Sequence, residues 1–151
     1  MAVLLVNKKI NYDFSVIDTI TCGIKLRGFE VKALKTRMGG SLNGSFVTTS
    51  NARLFIKNAM IPAYQKNNTD PGYDPYHTRE LLVTKQQYQK IIKHLHEPGV
   101  TMIPKAVHSQ NNRIVVECVI ARGKKKHDKR QTIRKREDER AMRRTLKSKN
   151  R

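Results

Sequence analysis

The chain has 151 residues, of which 31 are Lys or Arg and 12 are Asp or Glu, giving a formal net charge of +19 and a pI near 10.3. A length of this order holds one domain and an appendage, and such an excess of cations asks for a polyanion, held by phosphate neutralisation and counterion release. The start, MAVLLVNKK, is apolar for only five residues after Met1, too short for a signal-peptide core or a membrane span, so a cytoplasmic protein is expected. Cys22 and Cys118 have no CxxC partner and read as reduced, half-buried thiols of that compartment.

Residues 1–11 read as a loosely held leading segment. Residues 11–21 are rich in β-branched and aromatic side chains, with Phe14 and Val16 alternating with polar neighbours, which predicts a strand. Gly23 predicts a bulge or bend, after which residues 24–26 resume the strand. Residues 30–37 (EVKALKTR) are good helix formers stopped by Gly39-Gly40. Residues 46–49 and 53–57 alternate around Ser50-Asn51 and predict a hairpin. A long polar loop follows at 65–78, with Asp70-Pro71-Gly72 and Asp74-Pro75; a loop of that length is either functional or disordered. After a short apolar run at 81–83, Thr84 with Gln87 three residues on resembles a capping box. It opens a helix to about His96 with Tyr88, Ile91, Ile92 and Leu95 at helical spacing. Residues 100–107 and 114–121 are strongly β-like and joined by a turn at Asn111-Asn112.

Five or six short strands with two inserted helices and no regular βαβ alternation predict a mainly β fold. We expect a small antiparallel closed barrel of the oligonucleotide-binding type, with Greek-key connections and two to three flanking helices. The boundary falls near residue 122, dividing a barrel domain (1–121) from a basic tail (122–151). The tail holds 15 Lys/Arg and 4 Asp/Glu, a charge of +11, against +8 for the rest. It has too few apolar groups to offset its chain entropy and is expected to be disordered when free, from about residue 131 onward. Glu139 and Arg143 make a favourable helical pair, whereas Arg136, Arg140 and Arg144 repel at i, i+4. A membrane surface would want aromatic or leucine anchors on one helical face. The tail has no aromatic residue, and Ile133 lies roughly opposite Met142 at 100° per residue.

Chemistry-bearing constellations are sparse. His94 and His96 are two apart on a helix and diverge, and no histidine has cysteines at metal-ligand spacing. Gly39-Gly40 lacks the Lys and Ser/Thr of a phosphate-binding loop, and the carboxylates form no paired motif. The reading is a binding protein without cofactor, metal or catalytic residue. Glu30, at the start of a helix, complements the macrodipole or accepts hydrogen bonds from base edges. Tyr64, Tyr73 and Tyr76 stack on unpaired bases or pack in the loop.

Several stretches together resemble one family. Asn7-Lys8-Lys9, Gly23-Ile24-Lys25-Leu26, the block from Gly28 through Phe29, Glu30, Val31, Lys32 and Ala33 to Leu34, then Ile61-Pro62-Ala63-Tyr64, Leu81-Leu82-Val83, and the GKKKHDKR run at 123–130 are similar in kind and order to the SsrA-binding protein family, small protein B (SmpB). The resemblance implies a barrel that binds the tRNA-like domain of tmRNA and delivers it to stalled ribosomes in trans-translation. It implies a monomer whose tail becomes helical in the empty mRNA channel of the small subunit, and a role that is not catalytic. Carried over by position, Asn7, Lys8, Glu30, Lys32, Lys35, Tyr64, Leu82 and Thr84 would face tmRNA. Gly123, Lys124, Lys125, Lys126, His127, Asp128, Lys129, Arg130, Arg134 and Arg136 would serve the decoding centre. The chain departs from the family pattern at Ala33 (usually serine), Lys35 (usually arginine), Glu80 (usually basic) and Thr84 (often asparagine). On composition alone, a basic ribosomal protein or a general barrel-type RNA-binding factor remains open.

Overall fold

The computed structural model describes residues 2–150, and of Lys126 and His127 the backbone alone. Among the described residues the order is β1 (Ala2–Val6), α1 (Ile10–Asp13), β2 (Phe14–Ile24), α2 (Gly28–Lys35), β3 (Phe46–Ser50), β4 (Arg53–Lys57) and a 3-10 turn (Lys66–Asn68). Then come β5 (Arg79–Leu82), α3 (Lys85–Leu95), β6 (Val100–Gln110), β7 (Arg113–Gly123) and α4 (Lys126–Lys149). Every strand pairing is antiparallel, and neighbours run β6-β3-β4-β5-β2-β7. β7 pairs back onto β6, which closes the sheet into a barrel, and β1 lies along the outer side of β6.

The two hairpin turns have both central residues in the left-handed region, Asn51 and Ala52 at φ 49° and 59°, Asn111 and Asn112 at φ 49° and 63°. That is the twist-matched hairpin geometry in which asparagine is favoured. The first turn sits one residue later than expected, because Ser50 still pairs with Arg53. α3 begins as its sequence predicts: Gln87 N–H donates to Thr84 Oγ1 at 3.2 Å, and Thr84 N–H donates to Gln87 Oε1 at 2.9 Å. α2 begins two residues earlier than expected, with Arg27 as its cap.

Three local expectations are corrected. The leading segment is not loose: Ala2 through Val6 pair with Ser109 through Ala106, a partner no local signal reveals. Tyr12 belongs to α1, so the following strand starts at Phe14. Gly23 is not a bulge. The ladder runs through it, opposite Val115 on one side and Leu82 on the other, and the irregularity lies between Val16 and Asp18. Gly23 is small for another reason: a Cβ there would lie 3.2 Å from Leu82 Cβ.

The barrel interior is filled by alternate residues of its strands, among them Leu54, Ile56, Leu81, Met102, Val116 and Ile120, and is joined by Leu34 of α2 and Ile91 of α3. Each such fully buried aliphatic side chain stabilises the fold by about 1.5–3 kcal/mol. Cys22 and Cys118 are free thiols inside this core and fully buried rather than half-buried. β7 is buried on its other face as well. Val119 and Ala121 pack there with Ile103 under Ile10 of α1, next to Phe14. α1 is thereby fixed beside the point where the chain leaves the barrel.

The tail departs from the expectation of disorder: Lys126–Lys149 is one continuous helix. The segment lacks glycine and proline and is richest in Arg and Lys, which are good helix formers. Asp128 sits in its first turn, with Lys147 and Lys149 in its last, each complementing the macrodipole. At 24 residues the helix is about 36 Å long. Its apolar groups find no core: Met142 and Leu146 are 66% and 63% exposed.

Candidate nucleic-acid interface

Glu30, at the third position of α2, is wholly inaccessible. Its Oε2 accepts the Arg27 N–H at 2.8 Å. Its Oε1 faces Arg79 Nε at 3.0 Å and Nη2 at 2.8 Å, His77 Nε2 at 2.6 Å and the Tyr73 hydroxyl at 2.9 Å. Arg79 is equally buried. Its remaining N–H groups donate to the carbonyls of Ala59 (2.8 Å), His77 (3.2 Å) and Pro75 (2.9 Å). The Tyr73 hydroxyl also lies 2.7 Å from the Ile61 carbonyl, and its ring packs edge-on against Phe29. One buried ion pair therefore ties α2, the start of β5 and the long loop together. The loop expected at 65–78 to be irregular is held by this pair.

Burial by itself pushes the Glu30 carboxyl up. The Arg27 amide, the Arg79 guanidinium and the His77 ring outweigh it and hold the group below the usual carboxylate range. Burial and the neighbouring Glu30 carboxylate push the Tyr73 hydroxyl up to about 12, so it stays protonated. Glu30 thus offers no surface to a base edge. It shapes the surface around it, and sequence alone does not reveal its partner Arg79, which lies 49 residues away.

The other residues expected to face RNA divide into buried and exposed. Asn7 is 9% exposed; its Nδ2 reaches the Leu42 carbonyl at 3.4 Å and its Oδ1 accepts the Lys9 N–H at 3.2 Å, which shapes the turn after β1. Lys8 is exposed. Lys32 stands over the Tyr64 ring, 4.5 Å from its centre, so one face of that ring is covered by a cation. Lys35 Nζ donates to Asn112 Oδ1 at 2.7 Å. Leu82 is 46% exposed beside Gly23, and the exposed Thr84 caps α3. Lys25, Arg27, Lys32, Lys35, Leu82 and Thr84 are all exposed.

The departures from the family pattern acquire reasons. Ala33 is fully buried, so a hydroxyl there would face the interior. Thr84 replaces one good cap residue with another. Glu80 is paired with Lys25 at 3.1 Å and Arg53 at 3.8 Å, so its charge is answered within the fold. Asp18, Glu97 and Glu117 are likewise paired, with Lys90, Arg122 and Lys105. Asp70 and Asp74 accept turn N–H groups.

Gly123 ends β7 opposite Phe14. A Cβ there would meet nothing within 4 Å, so its small size is not what lets the chain leave. Lys125, Asp128, Arg130, Arg134 and Arg136 are exposed. The side chains of Lys126 and His127 lie outside the described residues. Lys124 and Lys129 are engaged by α1. Lys124 Nζ donates to the Asn11 carbonyl at 2.8 Å, and Lys129 Nζ lies 3.3 Å from Asp13 Oδ1.

A profile of the SmpB protein family matches residues 4–148. The SsrA-binding protein of Thermosipho africanus is 39% identical over 148 residues, covering 97% of this chain and 98% of that one. That of Neorickettsia sennetsu is 41% identical over 138 residues, covering 91% and 92%. A solved structure described as "tmRNA-SmpB: a journey to the center of the bacterial ribosome" superposes with a TM-score of 0.69 at 27% identity, covering 88% of this chain and 96% of that chain. With the family profile matching nearly its whole length and relatives of about 40% identity covered almost end to end, the chain belongs to the SmpB family.

Proposed function

We propose that the protein binds tmRNA through the basic face formed by α2, the end of β5 and the start of α3, and brings it to stalled ribosomes in the cytoplasm. Its tail helix engages the small-subunit decoding centre and mRNA channel. It acts by binding and not by catalysis. The observation that carries this reading is the contrast in charge placement. Asp18, Glu30, Glu80, Glu97 and Glu117 of the barrel are paired with its own cations, whereas Arg130, Arg134 and Arg136 stand exposed on a helix that, among the described residues, is ion-paired to the rest of the fold near its start, through Lys129. A folded RNA is held by the first surface through shape and phosphate contacts. The second suits ribosomal RNA lining a channel, where phosphates relieve the repulsion among its arginines. Lys32, Lys35, Leu82 and Thr84 are the contacts we assign to tmRNA. Lys8 and the half-buried Tyr64 are assigned to the same partner, and Glu30 and Asn7 act by positioning. Lys125 through Asp128, then Arg130, Arg134 and Arg136, belong to the ribosomal side.

The test replaces Asp128, Lys129 and Arg130 together with alanine. Affinity for tmRNA should stay nearly unchanged while tagging of a stalled nascent chain is lost. Equal small losses in both assays would favour a charge-only account and count against a division of labour.

A further inference from the structure

α4 leaves the barrel through a set of contacts that the family motifs do not mention. Lys124 N–H donates to the Asp13 carbonyl at 2.9 Å. Lys124 Nζ reaches the Asn11 carbonyl at 2.8 Å and Thr132 Oγ1 at 3.2 Å, and the Thr132 hydroxyl donates to the Asp128 carbonyl at 2.9 Å. Lys129 Nζ lies 3.3 Å from Asp13 Oδ1 and 5.9 Å from the centre of the Tyr12 ring. Both lysines come from the basic block, and both are turned toward the protein itself. Their target is a fixed one, since Ile10 of α1 is 3% exposed and packed on Ile103, Val119 and Ala121. The carbonyls at the end of a short helix lack intrahelical partners, so α1 presents acceptors as well as the Asp13 carboxylate.

We propose that α1 is the seat of the tail helix. Asp13 is a positioning residue that sets the exit direction of α4 through Lys129, with Lys124 as the pivot. Lys124 and Lys129 then serve to aim the helix, and the other cations of the block and those from Arg130 onward meet the ribosome. This rests on the reading of the tail as the ribosomal arm. Lys124 ties α1 to α4 through a backbone hydrogen bond to Asp13 and an ammonium that bridges Asn11 and Thr132, so it stays in place. The Asp13–Lys129 pair is about one-third exposed on both sides and is the part that breaks. Removing an exposed pair of this kind lowers the ratio of seated to unseated helix by about two- to fivefold, and reversing the charge at Asp13 lowers it further.

The experiment uses the full chain with spin labels at Thr49→Cys and Thr145→Cys. Both positions are exposed, while the native Cys22 and Cys118 are buried from the reagent. Label–label distances and peptide tagging are measured for the parent, Asp13→Glu, Asp13→Lys, and the exchange Asp13→Lys with Lys129→Asp. Asp13→Glu should keep a narrow distance distribution. Asp13→Lys should broaden it and depress tagging, leaving tmRNA affinity within about twofold, since this is a loss at one exposed pair. The exchange should restore both the distribution and tagging. A distribution unmoved by Asp13→Lys overturns the seat. An exchange that restores the distance and not tagging overturns the role given to Lys129 and makes it an RNA contact. Loss of tmRNA binding by a labelled parent that folds normally would instead overturn the functional reading.

Discussion

The barrel and the tail helix carry similar net charge and use it in opposite ways. In the barrel, Arg79 is buried, all its donors are satisfied, and it organises a loop from within. In the tail, arginines stand exposed on a helix without a core. A cation enclosed with its carboxylate specifies shape, because leaving either charge unpaired in the interior is costly. A cation left in water specifies little by itself and remains available to phosphate. The same residue type thus builds one surface and serves as another.

The largest effect should come from breaking the buried pair. Arg79→Ala is expected to destabilise the protein by about 3–5 kcal/mol in urea denaturation, because it strands the Glu30 carboxylate; an unchanged midpoint would make the network dispensable. The same network has a pH signature. The Glu30 pKa is lowered on folding, so its contribution is complete above the unfolded carboxylate pKa near 4.3 and is lost as pH falls through the lower folded value. Denaturation midpoints should therefore fall on acidification from pH 5, and less steeply in Glu30→Gln; parallel profiles would assign the acid sensitivity to other carboxylates.

Gly23→Ala comes next. Its Cβ would press on Leu82 Cβ at 3.2 Å, and overpacking of that kind costs about 1–3 kcal/mol. Because Leu82 belongs to the proposed tmRNA face, binding should weaken together with stability; a loss of stability with binding intact would move the RNA contact away from Leu82. Thr84→Ala removes the α3 cap and should cost about 1 kcal/mol, whereas Thr84→Asn should cost almost nothing. Equal losses in the two variants would show that the hydroxyl does something other than cap. The smallest effect sharpens the comparison from the other side. Ala141→Gly lowers helix propensity in α4 by about 1 kcal/mol, yet should leave the cooperative unfolding of the barrel where it was while helical signal is reduced. A matching shift of the barrel transition would mean that α4 folds as part of it.

Much of this protein is legible along the chain. Strand alternation in β3, β4, β6 and β7, the paired asparagines at Asn111-Asn112, the Thr84 capping box and the change of composition near residue 122 are all local. The backbone chooses them from neighbours within a few residues. The family blocks are equally local and led to the same barrel. The domain cut is shifted slightly, since β7 runs on to Gly123 opposite Phe14, and a barrel fragment should extend to residue 125 to keep those pairs and the Lys124 pivot.

What tertiary structure alone decided are the pairings across long sequence distances. The leading AVLLV became a strand only because Ala2 finds Ser109. Glu30 and Asn7 look like exposed polar residues in the stretches that resemble the family, and they are interior because Arg79 and the Leu42 carbonyl meet them there. Lys124 and Lys129 read as two more cations of a basic run, until α1 folds beside them and supplies the acceptors that hold them. Local propensity assigns a conformation to each segment. Whether a charge in that segment faces water or a buried partner depends on which distant residue the fold brings to it.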